Sequence, residues 1–189
     1  MSVRLKILFL IIIIGFFGCD IFEVREPESP TDTRSGYTVP VQPSDVIQNL
    51  ITSFSERNAD DYRKNFSEGP PLVNREFVFI PSGNVLSSFP QDWSIDEEFQ
   101  YFNNLITRSP QDVPINLSFL GGQYDIQADS AIFSAEYSIS LPVQNNEPKI
   151  YRGNLKFTMV RNQTWVIYLW EDLAISESTS WSELKIEFY

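Results

Sequence analysis

The side chains able to do chemistry in this chain are carboxylates and tyrosines. It contains no histidine and a single cysteine, Cys19. That removes the usual general base near neutral pH, the commonest zinc ligand and the Ser-His-Asp arrangement. What remains is proton transfer by an Asp or Glu base beside a Tyr donor. The residues that could supply it are Tyr62, Tyr101, Glu136, Tyr168, Glu171 and Asp172. For each, a structural role is the stronger expectation. Tyrosines sit at core edges with their hydroxyls on polar partners, Glu136 falls on the polar face of an alternating strand, and Asp172 begins a turn. No catalytic residue is therefore assigned. Asp60-Asp61 and Asp96-Glu97-Glu98 fall at predicted helix starts, where the helix dipole favours acids without any metal. Gly121-Gly122 lacks the surroundings of a phosphate loop and reads as a bulge or turn. No metal or cofactor is expected.

These groups must be held by a mixed set of elements. Ser44 is a plausible N-cap and Asp45 lies in the first turn of a helix whose Val46, Ile47, Leu50, Ile51 and Phe54 form one apolar stripe. Asn58 caps a shorter helix carrying Tyr62 and Phe66. After the break at Gly69-Pro70-Pro71, residues 76–81 read as a short strand. Ser94-Ile95-Asp96-Glu97 has the form of a capping box and opens a third helix, with Ile95, Phe99, Phe102 and Ile106 expected on its buried side.

Beyond Pro110 the period changes to two. Apolar residues alternate with polar ones at Val113, Ile115, Leu117 and Phe119, from Ala131 to Leu141, and at Tyr151, Leu155, Phe157 and Met159. Leu184, Ile186 and Phe188 continue the alternation to the last residues, so a final strand is expected there. Trp165 to Trp170 is apolar on both faces, which predicts a central strand covered on both sides.

The N-terminal region has its own pattern. Arg4 and Lys6 precede an unbroken apolar run, Ile7–Phe17, followed by Gly18-Cys19-Asp20. A membrane-spanning helix needs about 20 apolar residues, and this run is shorter. Its layout resembles the signal and lipobox of bacterial lipoproteins. The resemblance implies cleavage before Cys19, with residues 1–18 removed, and acylation of Cys19 through N-palmitoyl and S-diacylglycerol groups. Its partner would then be membrane lipid, with the inner or outer membrane left open. Residues 19–43, polar and broken by Pro27, Pro30, Pro40 and Pro43, read as a disordered tether, and residues 44–189 as the folded domain. The formal net charge is −11. Loss of Arg4 and Lys6 with the signal makes the remainder more acidic still, which argues against nucleic acid as a partner.

Within that domain, three helices and a short strand precede a long antiparallel sheet. Trp165-Val166-Ile167, Trp170-Glu171-Asp172 and Trp181-Ser182-Glu183-Leu184-Lys185 close the pattern, and Asn58-Ala59-Asp60-Asp61-Tyr62 joins the first two helices. This order is similar to the nuclear-transport-factor-two-like (cystatin-like cone) superfamily. The resemblance implies an α+β cone: three N-terminal helices packed on a curved antiparallel sheet. A β-sandwich or half-barrel with helices at one end is the alternative fold. The cone's expected pocket residues are Phe133, Tyr137, Phe157, Tyr168 and Trp170, which could equally fill the space as line it. The function expected is that of a cell-envelope lipoprotein with a non-catalytic binding domain, taking a small apolar ligand or an envelope protein. The alternatives are an isomerase-, dehydratase- or hydrolase-like enzyme using Asp and Tyr, and a structural part of an envelope complex.

Overall fold

The computed structural model describes residues 35–70, 72–144, 146–175 and 178–189. Cys19, the signal region and most of the expected tether lie outside the described residues. None of the described helices is long and apolar enough to cross a membrane.

Residues 35–42, assigned to the tether by sequence, lie along the domain. Asn49 holds this segment from both sides: Thr38 N–H donates to its Oδ1 at 2.9 Å, and its Nδ2 donates to the Thr38 carbonyl at 2.7 Å. Trp165 N–H donates to the Pro40 carbonyl at 3.1 Å. Helix α1 then runs from Pro43 to Glu56, so Ser44 lies inside it and Gln42 is the N-cap. Pro43 explains the earlier start, because a first-turn proline has a suitable φ and no N–H to leave unpaired. Asp45 accepts from the N–H groups of Val41 and Gln42, both at 2.9 Å.

Helix α2, Ala59–Arg63, is capped by Asn58 as its sequence indicates, with Asp61 N–H donating to the Asn58 side chain at 3.0 Å. Arg57 between α1 and α2 takes a left-handed conformation (φ 55°). Its guanidinium donates to the carbonyls of Ile106, Pro110 and Val113 at 3.0, 2.5 and 2.6 Å, tying this corner to the end of the third helix.

Strand β1 is Val78–Ile80. Helix α3, Ile95–Arg108, carries the expected capping box, with Ser94 N–H donating to Glu97 at 2.9 Å. Its buried face differs from the expected one. Glu98, Tyr101, Phe102 and Leu105 are buried, whereas Ile95 and Ile106 are only partly covered. The pattern of apolar types pointed one residue away because the buried stripe contains an acid.

Strands β2 (Asn116–Gln127), β3 (Ser130–Val143), β4 (Asn146–Arg161) and β5 (Trp165–Ala174) form an antiparallel meander. The order is β1-β5-β4-β3-β2, with β1 parallel to β5. Gly121 and Gly122, expected as a bulge or a turn between strands, form a bulge inside β2, between the Leu120–Glu136 and Gln123–Ser134 pairs. Gly121 has φ +63°, and a Cβ on Gly122 would meet the Phe133 ring at 2.8 Å.

Two expectations fail in β5 and beyond, each for an identifiable reason. The β5 strand is buried on its inner side and only half-covered on the other, where Val166, Tyr168, Leu169 and Glu171 keep part of their exposure. A bulge lies where Thr158 pairs with Leu169 but Met159 pairs with Ile167. The extra residue, Tyr168, resets the alternation, so Trp165, Ile167 and Trp170 all face inward. Both faces are apolar as expected, but the bulge exchanges the sides of Leu169 and Trp170, leaving Val166, Tyr168 and Leu169 outward. The final segment is a helix, α4 (Trp181–Phe188), rather than a strand. Ser180 N–H donates to Glu183 at 2.6 Å, closing a second capping box. Trp181, Leu184, Lys185 and Phe188 are buried at helical spacing.

Candidate functional site: the interior of the cone

The inner face of the sheet, the three N-terminal helices and α4 enclose a core dominated by aromatic rings. Trp170 from β5 and Trp181 from α4 meet edge to face at 4.5 Å between centroids. Phe157 packs on Trp170 at 5.1 Å, Tyr137 on Trp181 at 5.1 Å, and Phe54 on Trp181 at 5.6 Å. Such packing fills the volume a ligand would need. Of the expected pocket residues, Phe133, Tyr137, Phe157 and Trp170 are buried here. Tyr168 lies on the opposite face of β5, where the Arg75 guanidinium stacks 4.8 Å from its ring centre.

Two polar clusters are embedded in this core. The first centres on Lys185 of α4 and Glu98 of α3, whose side chains have no solvent exposure and form an ion pair. Tyr62 hydroxyl donates to Glu98 Oε1 and Trp93 Nε1 donates to Glu98 Oε2, each at 2.7 Å. The Lys185 ammonium sits in an aromatic box, 3.7 Å from the Trp170 ring centre, 3.9 Å from Phe79, 5.3 Å from Tyr101 and 5.4 Å from Trp93. Cation–π attraction offsets part of the cost of removing that charge from water. Burial still wins, and the Lys185 pKa falls from 10.5 to about 8. Burial, reinforced by the charge of Glu98, pushes the Tyr62 and Tyr101 hydroxyls well above their ordinary value.

The second cluster centres on Asp172. Tyr137 hydroxyl donates to its Oδ1 at 2.7 Å, and Ser182 N–H donates to its Oδ2 at 2.8 Å. Ser182 hydroxyl also donates to Oδ2. Trp181 N–H in turn donates to the Tyr137 oxygen at 2.6 Å. Burial raises the Asp172 carboxyl pKa although these donors and Lys185 oppose it. The Tyr137 hydroxyl has room because the facing position on β4 is Gly153: a Cβ there would lie 2.4 Å from the hydroxyl oxygen. Both clusters fasten α4 to the rest of the cone.

Of the six residues considered for catalysis, Tyr62, Tyr101 and Asp172 converge in this interior. Glu136 and Glu171 face the outer side of the sheet with Tyr168. Glu98, Tyr137, Lys185 and Ser182 carry the network without having been singled out for it. A signal existed for Lys185: Ser180-x-x-Glu183 is a capping box, and in that helical frame Lys185 lies one turn from Trp181. Among the described residues, no group of three or more carboxylate or cysteine side chains could hold a metal.

Two clefts lie away from these clusters. One, of about 710 Å³, is lined by Arg108, Asp112, Val113, Val143 and Lys149 among others, at the end of α3. The second, of about 310 Å³, lies by Tyr37, Lys64, Leu72 and Val166. Glu98, Asp172 and Lys185 line neither.

No family model matches the sequence, and no curated protein does. Solved structures do match its fold. A protein from Novosphingobium aromaticivorans, named as an aromatic ring hydroxylase, superposes with a TM-score of 0.57 at 12% identity, over 75% of this chain and 92% of that one. A Streptomyces avermitilis protein, named as a dehydratase of the nuclear-transport-factor-two-like family, gives 0.55 at 8% identity, over 69% and 91%. A Nostoc punctiforme protein of unknown function with a cystatin-like fold gives 0.50 at 9% identity, over 71% and 90%. The domain therefore has the α+β cone fold, with a curved five-stranded sheet wrapped by helices. At these identities the likeness concerns the fold and carries no activity.

Proposed function

We propose that this chain is a cell-envelope lipoprotein, held to a membrane through acylated Cys19, whose cone domain acts by non-catalytic binding of an envelope protein on its outer surface. The observation that carries this reading is the state of the interior. Where a ligand-binding cone would be hollow, Trp170, Trp181, Phe157 and Phe54 fill it, and its carboxylates are bound by the protein's own donors. Binding must then use the exterior. The lipobox-like Gly18-Cys19 sequence supports the anchor, and two or more acyl chains suffice for stable membrane attachment.

A second reading has one observation in its favour. Asp172, with its raised carboxyl pKa, lies beside Tyr137, a pairing suited to proton transfer of the isomerase or dehydratase kind. Neither of the two clefts described above reaches it, so an enzyme would have to open before it could work.

Native mass spectrometry of the full chain, purified from its own membrane, tests the proposal against a denatured sample. The expected denatured mass is that of the chain from Cys19 plus acyl groups, with no small molecule in the native one. A retained residue 1–18 segment would overturn the anchor, and a bound small molecule would overturn the filled-interior reading.

A further inference from the structure

At one end of the cone a row of apolar side chains meets water. This end carries the β2–β3 and β4–β5 turns, and backbone contacts gather it. Arg161 N–H donates to the Asp129 carbonyl at 2.8 Å, joining the two turns, and Trp165 N–H holds the Pro40 carbonyl beside them. Asn162 Nδ2 donates to the Leu72 carbonyl. Val39 and Val41 flank the held proline. Tyr124 and Ile126 stand on β2 next to its turn, opposite Phe133 and Ala131. Helix α1 packs against β2, and its Asp45 takes the Val41 N–H at 2.9 Å. The Tyr124 hydroxyl lies near enough to feel that carboxylate, since burial and then the charge of Asp45 raise its pKa. Val39, Val41, Leu72 and Ile126 are each more than half exposed, and Tyr124 is 40% exposed. An exposed apolar cluster of this kind marks a contact surface.

We infer that this end of the domain lies against the membrane surface, with Val39, Val41, Tyr124 and Ile126 set between zwitterionic headgroups and acyl chains. The inference rests on the anchored reading above and adds the face that the domain turns to the bilayer.

Reach is the first argument. Cys19, which carries the acyl groups in that reading, stands 16 positions before Ser35, and an extended chain spans at most about 3.6 Å per residue. The domain therefore stays within about 58 Å of its anchor. Val39 follows Ser35 by four positions, which places it within about 14 Å of the point where the anchored chain arrives. Tethering gives such a patch a high effective concentration of membrane. It can then be smaller than a surface that must capture a bilayer unaided.

Chemistry is the second. Interfacial binding strengthens with the apolar area buried, and a tyrosine suits the boundary because its ring is apolar and its hydroxyl is not. Charge selects the lipid. Asp45, Asp125 and Asp129 flank the row, and Arg161 answers Asp129 at 3.0 Å. Anionic headgroups would be repelled there, so the surface suits zwitterionic ones. The rest of the outer surface stays free for the envelope protein.

Depth-dependent fluorescence of the full chain, purified from its own membrane and reconstituted in phosphatidylcholine vesicles, tests this. Acylation blocks the sulfur of Cys19, so one introduced cysteine takes one nitrobenzoxadiazole label. Ile126→Cys puts the label at the apolar end, and Val143→Cys puts it at the far end of β3. The I126C label is expected to emit at shorter wavelength than the V143C label and to be quenched several-fold more strongly by spin-labelled lipid. Val39→Asp with Val41→Asn, in the I126C background, is expected to remove both differences. These side chains are 60% and 65% exposed, so the fold should survive, as circular dichroism will check. If the two labels behave alike on chains that float with the vesicles, the membrane-facing end is overturned and the anchor stands. A signal that survives V39D with V41N comes from the label and overturns the apolar row. Quenching that grows when phosphatidylglycerol replaces part of the phosphatidylcholine overturns the preference for zwitterionic lipid. Chains that take a second label at Cys19 and fail to float overturn the anchor, and this inference with it.

Discussion

Lys185, in the last turn of the C-terminal helix, forms an ion pair with Glu98 of α3 in a site that neither side chain shares with solvent. Such a pair is costly to half-dismantle, because the survivor is left as an uncompensated buried charge. We expect Lys185→Met alone to destabilise the protein by about 3–5 kcal/mol. Combining it with Glu98→Gln should restore part of the loss. A double-mutant cycle by urea unfolding measures the coupling, and additive single effects would show that the pair contributes nothing.

The same lysine gives stability an unusual dependence on pH. Its folded pKa of about 8 lies below the ordinary 10.5, so between those values the unfolded chain holds more protons. The contribution is fully present above 10.5 and is lost as the pH falls to about 8. Buried Tyr62, Tyr101 and Tyr137, whose pKa values are raised, act in the opposite sense and withdraw stability as the pH climbs above 10.0. Unfolding curves should therefore show stability rising from about pH 8 towards 10 and then falling. In Lys185→Met the rising limb should disappear.

Gly153 should be intolerant of even a methyl group. Alanine there would drive the Tyr137 hydroxyl away from Asp172 and Trp181, since the added carbon would lie 2.4 Å from it. Leaving buried donors and acceptors unmet costs about 1–3 kcal/mol each. Thermal unfolding should report a loss of that order or more. Tyr137→Phe should show a similar loss without the steric clash.

The cap of α4 is separable from its core contacts. Ser180→Ala removes the acceptor for Glu183 N–H, at 3.4 Å, and should cost about 1 kcal/mol in chemical denaturation. A loss near that of Lys185→Met would instead place the hydroxyl's main role in its 3.1 Å contact with Ser82.

Cys19→Ala should abolish incorporation of radiolabelled palmitate and release the chain from the membrane fraction. Labelling that survives the substitution would remove the proposed anchor.

Sequence by itself determined most of the elements here. Capping residues and period-2 alternation are local, so Asn58, the Ser94–Glu97 box and the inward residues of β3 could be read directly. At Gly121-Gly122 the sequence left bulge and turn open, and the register of β2 with β3 makes it a bulge. Tertiary structure decided which face is buried in a segment that satisfies two periodicities. Leu184, Ile186 and Phe188 alternate as a strand would, yet Trp181, Leu184, Lys185 and Phe188 also form a helical stripe, which the Ser180–Glu183 capping box starts and the core of the cone buries. Burial of a charge is likewise not local. Lys185 and Glu98 are 87 residues apart in sequence, and each alone would belong in water. Whether the aromatic residues line a cavity or fill it was settled by the same helix, because Trp181 enters from outside the sheet to occupy the space beside Trp170.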